Sequence, residues 1–258
     1  MLKIIKINRD QLFDSHVTGT GFETVGSVAQ RLPEYNLIIN ADGWYKNKSA
    51  SIWYSEGTAK NTIQMHSRPW INFEEDNDYS FGWRAKTFYR NFNCVSGTRF
   101  IVEGGKINSR MSDSGELNAR TAIGITGDGG LVILVVDGRD QPFPQRGLSL
   151  TSVAEYMIDA DCVTAVDLDG GGSTTMAING EVVNNPNDDG EPGERHVINH
   201  LCLKVDPAVL GEIPVPDPDP DPVELEIIPI AAGGLTLRRA DNGQTYTNKE
   251  GFNFVEDV

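Results

Sequence analysis

Basic residues are scarce in this chain. Its 258 residues carry 22 Lys and Arg against 37 Asp and Glu, a net charge of -15. Nucleic-acid binding needs clustered Lys and Arg to neutralise phosphates, so this balance argues against nucleic acid as the main partner. It also disfavours docking on an anionic membrane surface. It does not exclude an anionic substrate, because a few local arginines dominate the field at short range. Cysteine is scarcer still: Cys94, Cys162 and Cys202 lie far apart and match neither a metal spacing nor a disulfide framework. Each reads as a small buried apolar residue. The four histidines, His16, His66, His196 and His200, are scattered. His196 and His200 are four apart but fall in a predicted strand, where that spacing is too long for joint ligation. No apolar run approaches the roughly 20 residues of a membrane span. The opening Met1–Asp10 is too short and polar for a secretory signal, so the expectation is a chain made soluble in a cytoplasm, with its final location left open. Some chemistries lack their motif. There is no G-x-S-x-G of a nucleophile elbow. Gly170–Ser173 has no P-loop Lys, and Glu74–Asp78 is not an EF-hand loop.

What is present is an ordinary globular composition, 39% hydrophobic and 8% aromatic, enough for one large domain with or without an appendage. The most informative stretch is Val163–Met176. Val163–Asp167 reads as a buried strand that runs directly into Leu168, Asp169, three glycines and Ser173. A triple glycine is costly in backbone entropy. It suits a place where side chains would obstruct something, such as a ligand approaching the backbone, though a tight turn between strands accounts for it equally.

Around that stretch the pattern predicts strands over 2–7, 36–40, 120–126, 131–136 and up to about 205. Thr20–Glu23 has the form of a capping box before a helix that ends at Pro33. A second helix is expected from about Ser149 to Ala160, with Ser152 and Glu155 as a capping box and Val153, Ala154, Met157 and Ile158 on one face. Gly127–Gly130 and Asn179-Gly180 mark hairpins. Residues 45–118 form an aromatic-rich insert with short β-like pieces at 51–54, 62–66, 87–91 and 99–102. Its Trp53, Trp70, Trp83, Phe81 and Tyr89 suit either a core or a sugar-stacking surface, the core being the commoner use. Residues 211–222 read as an extended Pro-Asp linker, and 223–258 as a small β appendage, a surface for pairing with another chain, or the start of a further domain. The predicted fold is α+β, with mixed, largely antiparallel sheets and few helices, in a domain spanning 1–210.

Four predicted loops end in reactive groups: Asn40/Asp42, Asp137/Arg139, Asp169/Ser173 and Glu194/Arg195, with Arg120 opening a strand beside them. Carboxylates protonate leaving oxygens, activate water or attack an anomeric carbon. Arginine presents a planar fork to phosphate oxygens. Together they suit a substrate that is both sugar and phosphate. Asp167-Leu-Asp169 also matches, weakly, the Asp-x-Asp metal motif of glycosyltransferases. Strand alternation points both acids to one face, where a divalent cation is conceivable but not favoured over an arginine partner.

Arg120-Thr-Ala-Ile-Gly124, Val136-Asp-Gly-Arg139, Asp167–Thr174, the Asn179-Gly180 hairpin with Val182–Asn184, and Gly193-Glu-Arg195 occur in an order that resembles the phosphodiester glycosidases, the family of the lysosomal uncovering enzyme. Asn40-Ala-Asp-Gly-Trp44 looks like that family's earlier Asn-Gly-Gly-Phe element. The resemblance implies hydrolysis of a sugar-1-phosphodiester in a carbohydrate or phosphoglycan substrate, without a cofactor. For that reaction the residue chemistry makes Asp169 the expected nucleophile or base and Glu194 the partner acid/base, with Asp137 a third catalytic candidate. Arg120, Arg139 and Arg195 would bind phosphate or orient the acids. Gly170, Gly171, Gly172 and Ser173, with Asn40 and Asp42, would contact substrate. The sequence departs from the family where His196 replaces the usual Pro and Asp42 a common Gly. The insert and linker suggest a phage or bacterial member acting on a cell-surface glycan such as teichoic acid from a phage tail, with 223–258 as a surface for other virion proteins. The rivals are a non-catalytic glycan-binding or structural virion module and a metal-dependent glycosyltransferase.

Overall fold

The computed structural model describes residues 1–19, 22–45, 48–49, 52–61, 68–74, 78–83, 92–138, 147–188, 191–211, 225–230, 234–239 and 245–248. The chain divides into two compact units, 1–215 and 216–258. The first is an α+β fold built on antiparallel sheets. Six strands lie in the order Leu2–Ile7, Leu131–Val136, Arg120–Thr126, Cys162–Asp167, Arg99–Glu103, Lys106–Ile107. A second sheet runs Glu181–Val182, Met176–Ile178, Leu37–Asn40, His200–Val205, Leu12–Val17.

Period-two alternation sends neighbouring residues of one strand into different cores. All six residues of Leu131–Val136 are buried. Leu131, Ile133 and Val135 enter the core between the two sheets, while Val132, Leu134 and Val136 meet the helix Leu150–Asp159 through Val153, Ala154 and Met157. The second sheet does the same. Leu37, Ile39, Leu201 and Leu203 face the shared core. Ile38, Ala177 and Cys202 pack on Val25, Val28 and Ala29 of the helix Val25–Arg31. The layers are therefore helix, sheet, sheet, helix.

The helix starts differ from the sequence reading. Thr24 caps the first helix, its hydroxyl accepting from Ser27 N at 3.1 Å. Thr20 lies outside the described residues, and Glu23 pairs with Arg31. Ser149, not Ser152, caps the second, accepting from Ser152 N at 3.1 Å. Each hydroxyl satisfies an amide that the helix leaves open. Both hairpins form where expected. Asn179 and Gly180 take φ 51° and 86°, the pair of positive angles that a two-residue turn with matching twist requires.

The insert contributes a third sheet, in the order Thr58–Asn61, Trp53–Ser55, Asn93–Ser96, Pro69–Phe73, Tyr79–Trp83. Trp53, Ile71, Phe73, Tyr79 and Val95 extend the shared core, and the Trp53 indole donates to Thr18 O at 3.0 Å. Trp53 is thus a core residue and Phe81 packs partly buried against that core. The pieces predicted at 62–66 and 87–91, with Tyr89, lie outside the described residues, as does the Pro-Asp segment 212–222. The second unit contains an antiparallel sheet of Leu225–Ile230, Gly234–Arg239 and Thr245–Asn248. Among the described residues no helix is long and apolar enough to cross a membrane.

Candidate active site

The strands Leu37–Asn40 and Cys162–Asp167 belong to different sheets, and their ends are stitched together by hydrogen bonds. Asp169 N donates across to Ala41 O at 3.0 Å, while Leu168 N stays within its own sheet and donates to Thr121 O at 2.8 Å. Asn40 Nδ2 donates to Asp169 O at 2.7 Å, while its Oδ1 accepts from the Thr121 hydroxyl at 2.8 Å and from Thr175 N at 3.1 Å. Asn40 is fully buried with both ends of its amide engaged.

Each glycine of the following turn has a separate cause. A Cβ on Gly170 would stand 2.8 Å from Ala119 O. Gly171 has φ 61°, in the left-handed region that favours glycine. A Cβ on Gly172 would stand 2.6 Å from Asp188 Oδ1 and 2.7 Å from Arg195 Nη2. The close approach that excludes side chains at 170 and 172 is made by the protein itself.

This turn holds Asp169 in a mostly buried position. Burial raises its pKa above the ordinary carboxylate value. The Ser173 hydroxyl, Arg195, Arg68 and the Gly170 amide oppose that rise. Ser173 is itself fully buried, with no well-formed hydrogen bond at its hydroxyl. Arg195 is held by Asp188, which accepts from its Nε at 2.9 Å and also from its Nη2. The structure therefore brings Asp169, Arg195, Ser173 and the glycines 170–172 to one place. It adds Arg68, which no motif in the sequence marked.

Asp167 faces other partners. It is buried and its pKa rises to about 6, chiefly from desolvation and slightly from Asp169, against the pull of the Thr98 hydroxyl, Arg120 and Arg99. Thr98 Oγ1 donates to Asp167 Oδ2 at 2.8 Å. Because the folded pKa lies above the unfolded value of roughly 3.9, the native state binds the extra proton, and stability falls as pH rises from about 4 through 6. Asp167→Asn is expected to stabilise the protein at pH 7.5 by on the order of 2 kcal/mol, an advantage that shrinks towards zero below about pH 4. Urea unfolding of both proteins at the two pH values measures it, and a pH-independent difference would contradict it.

The other candidates have structural employment. One Asp137 oxygen accepts from Asn184 Nδ2 at 2.8 Å and Asn185 N at 3.0 Å; the other lies 2.9 Å from the Met1 ammonium. Glu194 Oε2 accepts from Gly26 N at 2.7 Å, in the first turn of the helix Val25–Arg31, where a carboxylate meets the helix dipole favourably. Arg120 donates to Leu148 O at 3.2 Å and Glu116 O at 3.1 Å. Asp42 is buried and accepts from Ser96 N at 2.6 Å. Arg139 lies outside the described residues. His200 is a core residue whose pKa falls to about 4, mainly through burial; its ring meets the Thr18 hydroxyl at 3.0 Å and Glu23 O at 3.2 Å. Among the described residues no three His, Cys, Asp or Glu side chains converge to hold a metal ion.

Fold and site together define a class: a two-sheet sandwich flanked by helices, with a mostly buried carboxylate and arginines gathered at a glycine turn at the strand ends. Within that class, the chain belongs to the phosphodiester glycosidase family, whose model matches residues 9–204. It is 43% identical over 110 residues to the N-acetylglucosamine-1-phosphodiester alpha-N-acetylglucosaminidase of Homo sapiens, a match covering 36% of this chain and 21% of that protein. The Bos taurus enzyme of the same name is 34% identical over 110 residues, covering 36% and 20%. These matches span about a fifth of the length of those relatives. The SPbeta prophage-derived protein YomE of Bacillus subtilis is 27% identical over 216 residues, 73% of this chain and 31% of that one. The fold is shared with the catalytic domain of the zebrafish N-acetylglucosamine-1-phosphodiester alpha-N-acetylglucosaminidase, at TM-score 0.61 and 19% identity over 80% of this chain and 73% of that chain.

Proposed function

We propose that this protein hydrolyses a sugar-1-phosphodiester. Water adds to the anomeric carbon, the C1–O bond breaks, and the phosphate stays on its carrier as a monoester. The observation that carries this reading is Asp169, a mostly buried acid on the glycine turn that meets Arg68 beside Gly43 and also feels Arg195. Asp169 serves as nucleophile or as the base that takes the proton of water. Its raised pKa makes it a stronger base than an exposed carboxylate, and activity rises with pH as it ionises. A phosphomonoester leaves more readily than an alcohol, so strong acid assistance matters less. Charge stabilisation by arginine matters more. This suits a site in which Glu194 is tied to a helix start and Asp137 to an asparagine pair.

The activity named for the mammalian relatives supports the reaction class. The prophage-derived relative supports a phage or bacterial setting. The substrate we propose there is a surface phosphoglycan such as wall teichoic acid, and the place of work a phage tail. The test is release of reducing sugar from a panel of synthetic sugar-1-phosphodiesters and purified phosphoglycans. Release from at least one is expected. Binding of glycan without release would replace this reading with that of a binding module. Turnover that requires a nucleotide sugar and Mn²⁺ would replace it with a transferase.

A further inference from the structure

The two ends of the scissile bond differ in charge, and the residues around Gly43 differ in the same sense. Resting on the hydrolase reading above, we infer that Arg68 and Gly43 form the seat of the phosphoryl group. The phosphate lies on the Arg68 side of Gly43 and the anomeric carbon on the Asp169 side.

Gly43 is not among the glycines with positive φ, so its backbone makes no demand for glycine. Nor does the space around it. A Cβ there would stand 3.4 Å from Arg68 Nη1 and 3.5 Å from Asp169 Oδ1, ordinary contact distances. Gly170 and Gly172 are different, because the protein fills the space a Cβ would need there. A Cβ on Gly43 would therefore sit between a guanidinium and a carboxylate, at ordinary contact distance from both.

Arg68 is equipped for an anion. Its Nη1 is buried and has no hydrogen-bond acceptor. Arg120 donates to two carbonyls and Arg195 to Asp188. A buried donor left without an acceptor is uncommon and costs stability. A phosphate oxygen is the acceptor that matches a guanidinium best. The negative charge of Asp169 repels a phosphate, which fixes the polarity of binding. On cleavage the phosphate goes from one negative charge towards two. Arg68 therefore holds the transition state more tightly than the substrate, and its loss falls on kcat more than on KM.

The experiment compares wild type with R68A, R68K and G43A on an α-N-acetylglucosamine-1-phosphodiester and on the 4-nitrophenyl α-glycoside of the same sugar. Calorimetry with inorganic phosphate and thermal melting accompany the kinetics. R68A is expected to lower kcat on the phosphodiester by roughly 10²-fold or more. Hydrolysis of the glycoside, whose leaving group is a phenol, changes by less than about threefold, and R68K recovers part of the loss. G43A melts like wild type but loses activity on both substrates and weakens phosphate binding at least tenfold. Equal losses by R68A on both substrates, or a G43A protein as active as wild type, would overturn the assignment while leaving the hydrolase reading standing. If wild type cleaves neither these substrates nor any phosphodiester or phosphoglycan of the panel above, the hydrolase reading has failed. Phosphate binding then decides the seat alone: loss in R68A and G43A upholds it, and unchanged binding overturns it.

Discussion

Asp169→Asn is expected to lower the release of sugar from a sugar-1-phosphodiester by at least about 10³-fold while leaving the protein folded. The substitution keeps the size of the side chain and removes its charge. The bonds that set the turn are made by the backbone: Asp169 N to Ala41 O, Asn40 Nδ2 to Asp169 O, and Gly171 N to Ala119 O at 2.8 Å. None depends on the carboxylate. Burial disfavours the charged form of Asp169, so the amide should melt at the same temperature as wild type or slightly above it. What disappears is the group able to attack C1 or take a proton from water. Retention of a tenth of wild-type turnover by a variant of unchanged melting temperature would remove Asp169 from the chemistry.

Asn40→Ala is expected to damage stability and activity together. Three buried groups lose a partner: the Thr175 amide, the Thr121 hydroxyl and the Asp169 carbonyl. An unsatisfied buried group costs roughly 1–3 kcal/mol, and the hydroxyl can turn elsewhere, so a total near 3 kcal/mol is expected. The glycine turn also loses the side chain that fixes Asp169 against the second sheet. Misplacement by about an ångström costs on the order of 10²-fold in rate. Asn40→Asp separates the two functions of the amide. It keeps acceptors for Thr121 and Thr175 but sets a carboxylate oxygen against the Asp169 carbonyl, so it should recover part of the stability and little of the rate. Urea denaturation with kinetics on the same samples measures both. A loss under 1 kcal/mol in the alanine variant would show that Asn40 is not the hub its hydrogen bonds describe.

The sandwich and the glycine turn were legible because their signals are local. Leu2–Ile7, Leu37–Asn40 and Leu131–Val136 are compact apolar runs, and Asn179-Gly180 requires a turn wherever it stands. The insert was opaque. Pro69–Phe73 carries a proline and a buried Asn72, and Asn93–Ser96 is half polar, so the burial of both depends on a sheet that cannot be inferred from their own pattern. Site roles failed to show for a geometric reason. Glu194 and Arg195 look like a pair in the sequence, yet Glu194 serves Gly26 and Arg195 serves Asp188. Successive residues of an extended chain point opposite ways. Adjacent opposite charges are thus poor predictors of a shared site. Arg68, by contrast, stands in no motif and approaches Asp169 only through the tertiary fold.

The unbroken apolar run of Leu131–Val136 has a further implication for how the molecule finds its alignment. Where strands alternate between oily and wet faces, a one-step slip is punished by exposure. Here a slip would trade Ile133 for Leu134 and leave both shielded from water. Solvent therefore cannot proofread this strand. Its alignment rests on the neighbouring bend, where Thr126 N donates to Gly130 O at 2.8 Å and Gly129 N to Thr126 O at 3.0 Å, and on Asp137, whose asparagine contacts would be lost after a single step.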